Sequence, residues 1–594
     1  MKFQFNNSQK IIIFLVLFFG IFGLAKSSHA ADIYIAQTAA GNNSGSDCAN
    51  AHAATWFNAS GNWANPKQLG KIGPGDIVHL CGTISNPMIV QASGSSASPI
   101  TIYFEPSAKI SMPACPSSVM GYPPSGCLDT NGNSWLVIDG GTPPGNEATC
   151  GYVNGVRIPC NGIIENTLNG TAGGICSGGV CTSQAWSNGL TAANCNNCEI
   201  KRLHIQNIYQ RTSLTDIAGD KFLETGIWFT GNNISVHNNI VNDASSAMIT
   251  GRGNDNVHIY QNDMYHNSHN LTTAGGFTEV GGSYYFHDNY VHFGNNDQSP
   301  WDNGLPGGQD TGYHQSAIHA WGSGNCPTGD KWTSSGDFWI YNNKFDQPGN
   351  WMSGWVFLEG GGQTCGRTPW TGATGRALIF NNVAIGSIIQ VSNGTGHVVV
   401  NNTVIGSGDL GNLSAGSPTV FPSTAIIQNN YESGSGVQAG GGFSPTNVVG
   451  SAYNWDYNLY AYVFGYNLWS WSATTGSWAT YKAQGGPWDT HSINDTCPWG
   501  SCTSANQGGV DQFTGIPANN SDVIDNGVNL TSFANALAAA ETKPAGVAAA
   551  NAMKKDINGN PRPIVAAWDI GAYEYVSGTL DTTPPANPTG LLVS

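Results

Sequence analysis

The chain has 594 residues and a formal charge of −16, and charged residues make up only 10% of it. An average soluble domain carries about 25% charged residues, and binding to nucleic acid phosphates needs basic patches. The composition therefore argues against nucleic acid as a partner and favours a neutral or cation-shielded polymer. The 78 glycines suit a fold with many tight turns.

Residues 1–30 have the pattern of a secretory signal peptide. Two lysines precede the apolar run 11–24, and small residues stand on either side of position 29. The run is shorter than the about 20 residues that a membrane-spanning helix needs. We predict that the mature chain starts near Ala31, is secreted or held at the cell surface as a monomer, and has no membrane span.

Residues 31–130 are predicted to form a cap and the first coils of a repeating fold, and residues 131–432 its core coils. Segments 32–36, 75–80 and 99–104 are short and rich in β-branched and aromatic residues, which is typical of strands. A solenoid needs its first coil covered, because an open strand edge recruits other chains.

One short phrase recurs between residues 199 and 432: an apolar residue, any residue, Asn or Asp, Asn, and an apolar residue. Its last Asn falls at Asn207, Asn239, Asn262, Asn289, Asn343, Asn382, Asn402 and Asn430. The shortest step, from 382 to 402, is 20 residues, and the longest, from 289 to 343, is 54. This spacing indicates a solenoid whose loops grow on some coils, with Asn side chains stacked at the turns.

A second phrase, five residues of strand character ending in Gly, precedes most copies of the first. It occurs at 227–231, 247–251, 277–281, 318–322 and 356–360. Two short strands and a turn per coil predict parallel strands stacked coil on coil. With these repeats, about residues 75–575 resemble the right-handed parallel β-helix of the pectate-lyase-like superfamily. The resemblance implies an all-β solenoid with a cap at each end, and it implies architecture rather than reaction because one fold hosts many functions.

The 14 cysteines suit an oxidising compartment. We expect disulfides between the pairs Cys48 and Cys81, Cys115 and Cys127, Cys150 and Cys160, Cys176 and Cys181, Cys195 and Cys198, Cys326 and Cys365, and Cys497 and Cys502. Zinc binding by Cys195 and Cys198 with Cys176 and Cys181 is the alternative, since the spacing permits it.

Residues 433–576 are predicted to form late coils and a C-terminal cap. The stretch 453–488 carries many Trp and Tyr residues, which indicates either a sugar-stacking platform or aromatic packing in late coils; packing is favoured because aromatic side chains bury much area. Residues 577–594 form a Pro-rich linker that resembles the lead-in to a fibronectin type III module.

Aligned by their Gly, the five Gly-ended segments place the residues one and three before it on an outer face. These are Trp228 and Thr230, Met248 and Thr250, Thr278 and Val280, His319 and Trp321, and Phe357 and Glu359. Trp228, His319 and Trp321 in such columns can stack on successive rings of an extracellular polysaccharide, and Phe357 is a further candidate for substrate binding. The alternative is that a loop covers them, since exposed aromatic patches are costly.

Long loops flank this face and add candidate substrate-binding residues. The excursion 295–315 contains Trp301 and His314, and the excursion 361–376 contains Arg367 and Trp370. Long loops on one part of a solenoid usually carry its function.

No sequence motif identifies the reaction. The three-carboxylate pattern of the β-helix polygalacturonases is absent from the sequence, and the clustered Asp ligands of pectate lyases are not legible. Glycoside hydrolysis would draw on Glu359, Asp302 and Asp310, one protonated as acid and one ionised as base or nucleophile.

Polysaccharide elimination would use Arg252 or His319 to remove the proton beside a uronate carboxyl. Ca²⁺ or Arg367 would neutralise that carboxyl. A zinc site through His314 and His319 is a further alternative, although residues five apart do not share a strand face.

Three functions remain open at this stage. The first is a carbohydrate-active enzyme, either a polysaccharide lyase or a glycoside hydrolase. The second is a non-catalytic glycan-binding protein, and the third is a structural or adhesion protein of the cell surface.

Overall fold

The computed structural model describes residues 30–119, 125–167, 176–177, 180–181, 185–208, 225–244, 247–252, 255–267, 270–273, 283–292, 316–320, 337–346, 354–358, 376–385, 389–391, 396–405, 410–412, 425–434, 437–438, 453–462, 469–471, 474–476, 478–483, 489–495, 509–511, 514–519, 521–562 and 567–575. Residues 1–29 of the predicted signal peptide and the predicted Pro-rich linker 577–594 lie outside these residues.

Three long sheets run the length of the molecule, and successive coils add one strand to each. Within each sheet neighbouring coils pair in parallel, for example Ile234–His237 with Val257–Tyr260. The fold is the right-handed parallel β-helix that the sequence predicts. None of the described helices is both long and apolar enough to cross a membrane.

The first sheet contains, in spatial order, His52–Ala53, Asp32–Ala36, Ile77–Leu80, Ile100–Phe104, Leu136–Asp139, Cys198–Lys201, Ile234–His237, Val257–Tyr260, Tyr284–His287, Phe338–Tyr341, Ala377–Phe380, His397–Val400, Ala425–Gln428 and Tyr453–Asp456. The second sheet contains Thr83–Ile84, Lys109–Met112, Gly162–Asn166, Leu203–Ile208, Ile240–Ala244, Asp263–Asn267, Tyr290–His292, Lys344–Asp346, Val383–Ile385, Thr403–Ile405, Tyr431–Gly434, Leu459–Tyr462 and Ile493–Asp495.

The third sheet contains Met88–Ile89, Ser125–Asp129, Ala185–Ala192, Thr225–Thr230, Ala247–Arg252, Asn270–Thr273, Ser316–Ala320, Gly354–Leu358, Ile389–Val391 and Leu410–Asn412, with Ser117–Val119 antiparallel to one of them. Smaller strands are Gly151–Val153 with Val156–Ile158, Cys176–Ser177 with Val180–Cys181, and Val437–Gln438 with Trp469–Trp471 and Thr474–Gly476.

In the described part of the chain, four α-helices lie outside the coils: α1 (Ala54–Phe57), α2 (Trp478–Lys482), α3 (Thr531–Ala540) and α4 (Pro544–Ala552). Three short 3₁₀ turns are Cys48–Asn50, Ser60–Asn62 and Pro144–Asn146.

The core is built from columns of apolar residues, one per strand, that point into the coil. Ile227, Ile249, Ile318, Val356 and Ile389 belong to one such column on the third sheet, each at most 3% exposed, and Thr272 interrupts it between Ile249 and Ile318. Burying one of these side chains stabilises the fold by about 1.5–3 kcal/mol. The interior is therefore a stack of aliphatic side chains, and the need to bury them fixes the register of the strands.

The placement of Met248 on the outer face is wrong. Trp228 pairs with Thr250 rather than with Met248, and Met248 is fully buried in the main hydrophobic core. Alignment by the Gly shifts this strand by two residues. The buried Ile227 and Ile249 set the register instead, because hydrophobic side chains fix which face of a strand turns inward.

The Asn repeat forms a buried ladder between the first and second sheets. Asn239 Nδ2 donates to Asn262 Oδ1 at 3.0 Å, and Asn262 donates to Asn289 at 3.0 Å. The ladder continues through Asn343, Asn382, Asn402 and Asn430 to Asn458. Each backbone N–H at these positions also donates to the next amide, which satisfies groups that the turn would leave unpaired.

Asn207 is not a member of this ladder. It lies inside the second-sheet strand Leu203–Ile208, and in that coil Leu203 N donates to Asn239 Oδ1 at 3.0 Å. The residue before each ladder Asn has a positive φ, as at Asn342 (55°) and Asp288 (55°). Asn and Asp tolerate this left-handed backbone best among residues with a side chain, which explains the doubled Asn of the repeat.

Four of the expected disulfides are present in the described residues: Cys48–Cys81, Cys115–Cys127, Cys150–Cys160 and Cys195–Cys198. The last of them removes Cys195 and Cys198 from any zinc site. Cys176 and Cys181 face each other in an antiparallel strand pair. The pairs 326–365 and 497–502 lie outside the described residues.

Two aromatic residues of the stretch 453–488, Trp455 and Tyr460, pack in the late coils, and the interpretation of the rest of the stretch stays a prediction. Trp455 is 5% exposed within the main core, and its Nε1 donates to Tyr460 Oη at 2.7 Å. Tyr460 in turn donates to Asp489 at 3.0 Å. These rings hold the last coils together and do not offer a flat face to a sugar.

Candidate functional site

Every long connection of the middle coils borders the third sheet. First-sheet and second-sheet strands are joined by two-residue turns such as 261–262 and 342–343. The connections 209–224, 274–283, 293–315, 321–337 and 359–376 all enter or leave a third-sheet strand. Function in a solenoid usually lies where such insertions gather, so the third sheet is the first candidate face.

A single column of register positions runs along this sheet beside the buried isoleucine column. It consists of Asp129, Thr191, Trp228, Thr250, Thr273, His319, Phe357, Gln390 and Asn412. Successive strands lie about 4.8 Å apart, which is close to the length of one sugar unit. We name these nine positions the third-sheet column.

Backbone pairing brings three of the predicted site residues into this column: Trp228, His319 and Phe357. Arg252 pairs with Thr230, two residues further along the strands. Trp228 is only 4% exposed, so little of its surface is available to a sugar. Its role in binding stays a prediction.

The remaining predicted site residues lie outside the described part of the chain. They are the acids Glu359, Asp302 and Asp310 and the binding residues Trp301, His314, Trp321, Arg367 and Trp370. Sequence places them on the connections 293–315, 321–337 and 359–376, which border the third sheet.

Asp129 is a column residue that the repeat phrases do not reveal. It ends the strand Ser125–Asp129 and is partly buried, and its Oδ1 accepts the backbone N–H of Asn131 at 2.7 Å. Burial raises the pKa of the Asp129 carboxyl, and the hydrogen bond from Asn131 offsets part of that effect. A carboxyl with a raised pKa on a candidate face is a potential proton donor. The sequence signal that could have identified Asp129 is its position at the end of a strand, before the turn Asn131-Gly132.

The outer face of the first sheet carries stacked rings that cover one another. His237, Tyr260, His287, Tyr341 and Phe380 stack with centroid distances of 4.5, 5.1, 4.7 and 5.0 Å and interplanar angles of at most 7°. A sugar stacks on the face of an aromatic ring. Here the faces are taken by neighbouring rings, so this stack stabilises the sheet rather than binding a glycan.

Helices α3 and α4 cover the later half of that sheet. Leu537, Ala549 and Met553 pack on Trp339 and Leu378 in one buried cluster. At its rim Arg376 bonds Asp337 at 2.5 Å and lies 3.4 Å from Glu541, and Lys543 pairs with Asp255. Burial, followed by the charge of Asp337, raises the pKa of Glu541.

A hairpin closed by the Cys150–Cys160 disulfide covers part of the second sheet. Arg157 on this hairpin forms two hydrogen bonds to Asp263, which is fully buried. His292 Nε2 lies 2.8 Å from Asp263 Oδ1 and 2.9 Å from Arg157 Nη2. Burial alone would raise the pKa of Asp263, but His292 and Arg157 outweigh it and lower the pKa.

The Arg157–Asp263–His292 cluster attaches the hairpin to the second sheet. The hairpin also accepts a hydrogen bond from Asn238 and donates one from Tyr152 to Gln261, at 3.1 Å each. The carboxylate is saturated by its partners, which leaves it no free oxygen for chemistry. Among the described residues no group of three or more His, Cys, Asp or Glu is arranged to hold a metal ion.

The sequence matches no family model and no curated protein sequence. Among solved structures, the native GH136 lacto-N-biosidase from Eubacterium ramulus is 12% identical with a TM-score of 0.42, covering 78% of this chain and 70% of that one. Pectate lyase Pel9A is 13% identical with a TM-score of 0.34, covering 92% and 97%. The complex of XylC with xylose is 10% identical with a TM-score of 0.38, covering 92% and 98%. At these levels of similarity we assign neither family nor activity from them.

Proposed function

We propose that this chain is an exported carbohydrate-active protein that cleaves an extracellular polysaccharide laid along its third sheet. The proposal rests on which sheets are covered by other segments of the chain and which sheet is bordered by long connections. Described segments of the chain cover parts of the first and second sheets, whereas every long middle connection borders the third. That sheet also bears a column with Trp, His and Phe positions at the spacing of successive coils.

The proposed chemistry uses groups on the connections that border the column. In a glycoside hydrolase, two of Glu359, Asp302 and Asp310 act as acid and as base or nucleophile. In a polysaccharide lyase, His319 or Arg252 takes the proton beside a uronate carboxyl, which Arg367 or Ca²⁺ neutralises. Trp301, His314, Trp321, Phe357 and Trp370 complete the proposed binding surface with Trp228.

A polysaccharide panel tests this proposal. The purified protein is incubated with polymers of different sugars, and products are followed as new reducing ends and as the ultraviolet absorbance of unsaturated sugars. The substitutions Glu359→Gln, Asp302→Asn and Trp321→Ala are then made separately, with Asp346→Asn on the second sheet as a matched carboxyl control.

We expect cleavage of at least one polymer, and a loss of at least about tenfold in rate in one of the three variants, which corresponds to about 1.4 kcal/mol. The control should keep the wild-type rate. Wild-type protein that is retarded by a polymer but releases no product would point to a glycan-binding protein instead. Unchanged constants in all three variants would place the site elsewhere.

A further inference from the structure

The third sheet differs from the other two in charge. Its ten parallel strands contain two charged residues, Asp129 and Arg252. The strands of the first sheet contain five Asp, Glu, Lys or Arg residues, and those of the second contain eight. We infer that the polymer bound along the third sheet is an uncharged polysaccharide and that its cleavage is hydrolytic. This inference rests on the proposed function and narrows it.

The third-sheet column contains no Lys or Arg that could pair with a polyanion. Eight of its nine positions are Thr, Trp, His, Phe, Gln or Asn, and the ninth is Asp129. A polyuronate carries a carboxylate on each sugar, and at about one sugar per coil each carboxylate would need a basic partner. Hydroxyl, amide and aromatic side chains suit hydroxyl-rich neutral rings.

The sequences of the connections that border the sheet contain more acidic than basic residues. Between residues 203 and 425, connections of seven or more residues contain ten Asp or Glu and five Lys or Arg residues. Asp337 and Arg376 from this set pair with each other, which leaves nine acids against four bases. A field of this sign lowers the local concentration of an anionic polymer.

The charge of the substrate restricts the reaction. Elimination removes the hydrogen on the carbon that bears a uronate carboxyl, because the carboxyl makes that hydrogen acidic. An uncharged hexose or pentose lacks it, so elimination has no starting point. Hydrolysis remains: water oxygen bonds to the anomeric carbon while the bond from that carbon to the bridging oxygen breaks. The bridging oxygen takes a proton from one carboxyl, and a second carboxylate takes the proton of water.

The experiment compares uncharged polymers (xylan, mannan and a mixed-linkage β-glucan) with polygalacturonate and alginate. Each is tested for cleavage and for retardation of the protein in an affinity gel, at low and high salt, with Ca²⁺ or with EDTA. We expect new reducing ends and retardation with an uncharged polymer, unchanged by salt or EDTA. No ultraviolet-absorbing product should form from any polymer.

Unsaturated products, or binding to a polyuronate that salt or EDTA abolishes, would overturn the inference while leaving the proposed carbohydrate function intact. Retardation by an uncharged polymer without cleavage would support the substrate class and overturn the hydrolytic step together with the proposed enzyme. Absence of both cleavage and retardation for all five polymers would overturn the inference and the proposed function together.

Discussion

Single residues in this molecule are constrained by what the neighbouring coil presents to them. Each Asn of the buried ladder donates to the next coil and to a backbone carbonyl of the preceding one, as Asn343 does to Asn382 Oδ1 and to Phe286 O at 3.0 Å each. These Asn residues recur in the sequence because each coil needs the same hydrogen bonds at this turn. Asn207 has the same phrase without the ladder position, since its coil turns at Arg202 (φ 58°), Leu203 stands where the next coil has Asn239, and Asn207 lies four residues further on.

The substitution Asn343→Ala should lower the free energy of unfolding by about 1–3 kcal/mol. It removes the acceptor for the backbone N–H and Nδ2 of Asn289, at 3.0 and 3.1 Å, and leaves both buried. Chemical denaturation measures the change. Asn535→Ala on the exposed face of α3 is the control and should be near neutral; equal effects from the two would argue against an energetic role for the ladder.

His258 should make stability depend on pH. Burial, with the charges of His287 and Lys543, lowers the pKa of His258 from its usual value of 6.5 to about 4. The unfolded chain binds this proton more tightly, so the stabilisation is present above about pH 6.5 and is lost as pH falls towards about 4. Its full size is at most about 3 kcal/mol.

Denaturation of wild type and His258→Asn at pH 7 and pH 4.5 checks this dependence. The wild type should lose more stability between the two values than the variant does, because the variant has no group to protonate at this position. Parallel losses in both proteins would show that other groups govern acid stability.

At the scale of elements, helices α3 and α4 cover the first sheet and the hairpin 150–160 covers the second. Both are held by side chains that the sequence patterns did not single out. Arg157 and Asp263 are 106 residues apart in sequence, and the hairpin that carries Arg157 contains no repeat phrase. The repeats predicted the strands and the Asn turns, because local spacing encodes them. They did not predict the Trp228–Thr250 pairing, because the buried Ile column sets register and the Gly does not.

Arg157→Ala should destabilise the hairpin and lower the free energy of unfolding by about 1–3 kcal/mol. Asp263 is fully buried and would keep His292 as a partner, with the hydrogen bonds from Arg157 lost. Lys109→Ala is the matched control, because its partner Glu165 keeps bonds to Ser111 and Gln206 at 2.9 and 2.8 Å. Proteolysis within 150–160 should become faster in the first variant only.

The whole molecule is a β-helix with three faces that have different surroundings. The first sheet stacks its rings and carries α3 and α4, the second carries the hairpin, and the third is bordered by the long middle connections. The fold follows from composition and repeats, and the signal peptide stays a prediction. The candidate site follows only in part, because Asp302 and Asp310 lie on a connection without a repeat to fix their position and Glu359 lies outside the described residues.

Hydrogen–deuterium exchange with and without a bound oligosaccharide fragment of the preferred uncharged polymer tests the central claim most directly. The account predicts slowed exchange in the third-sheet strands Thr225–Thr230, Ser316–Ala320 and Gly354–Leu358 and in their bordering connections. The second-sheet strands Asp263–Asn267 and Lys344–Asp346 should exchange as before. Protection confined to the second sheet, or to residues 453–488, would contradict it.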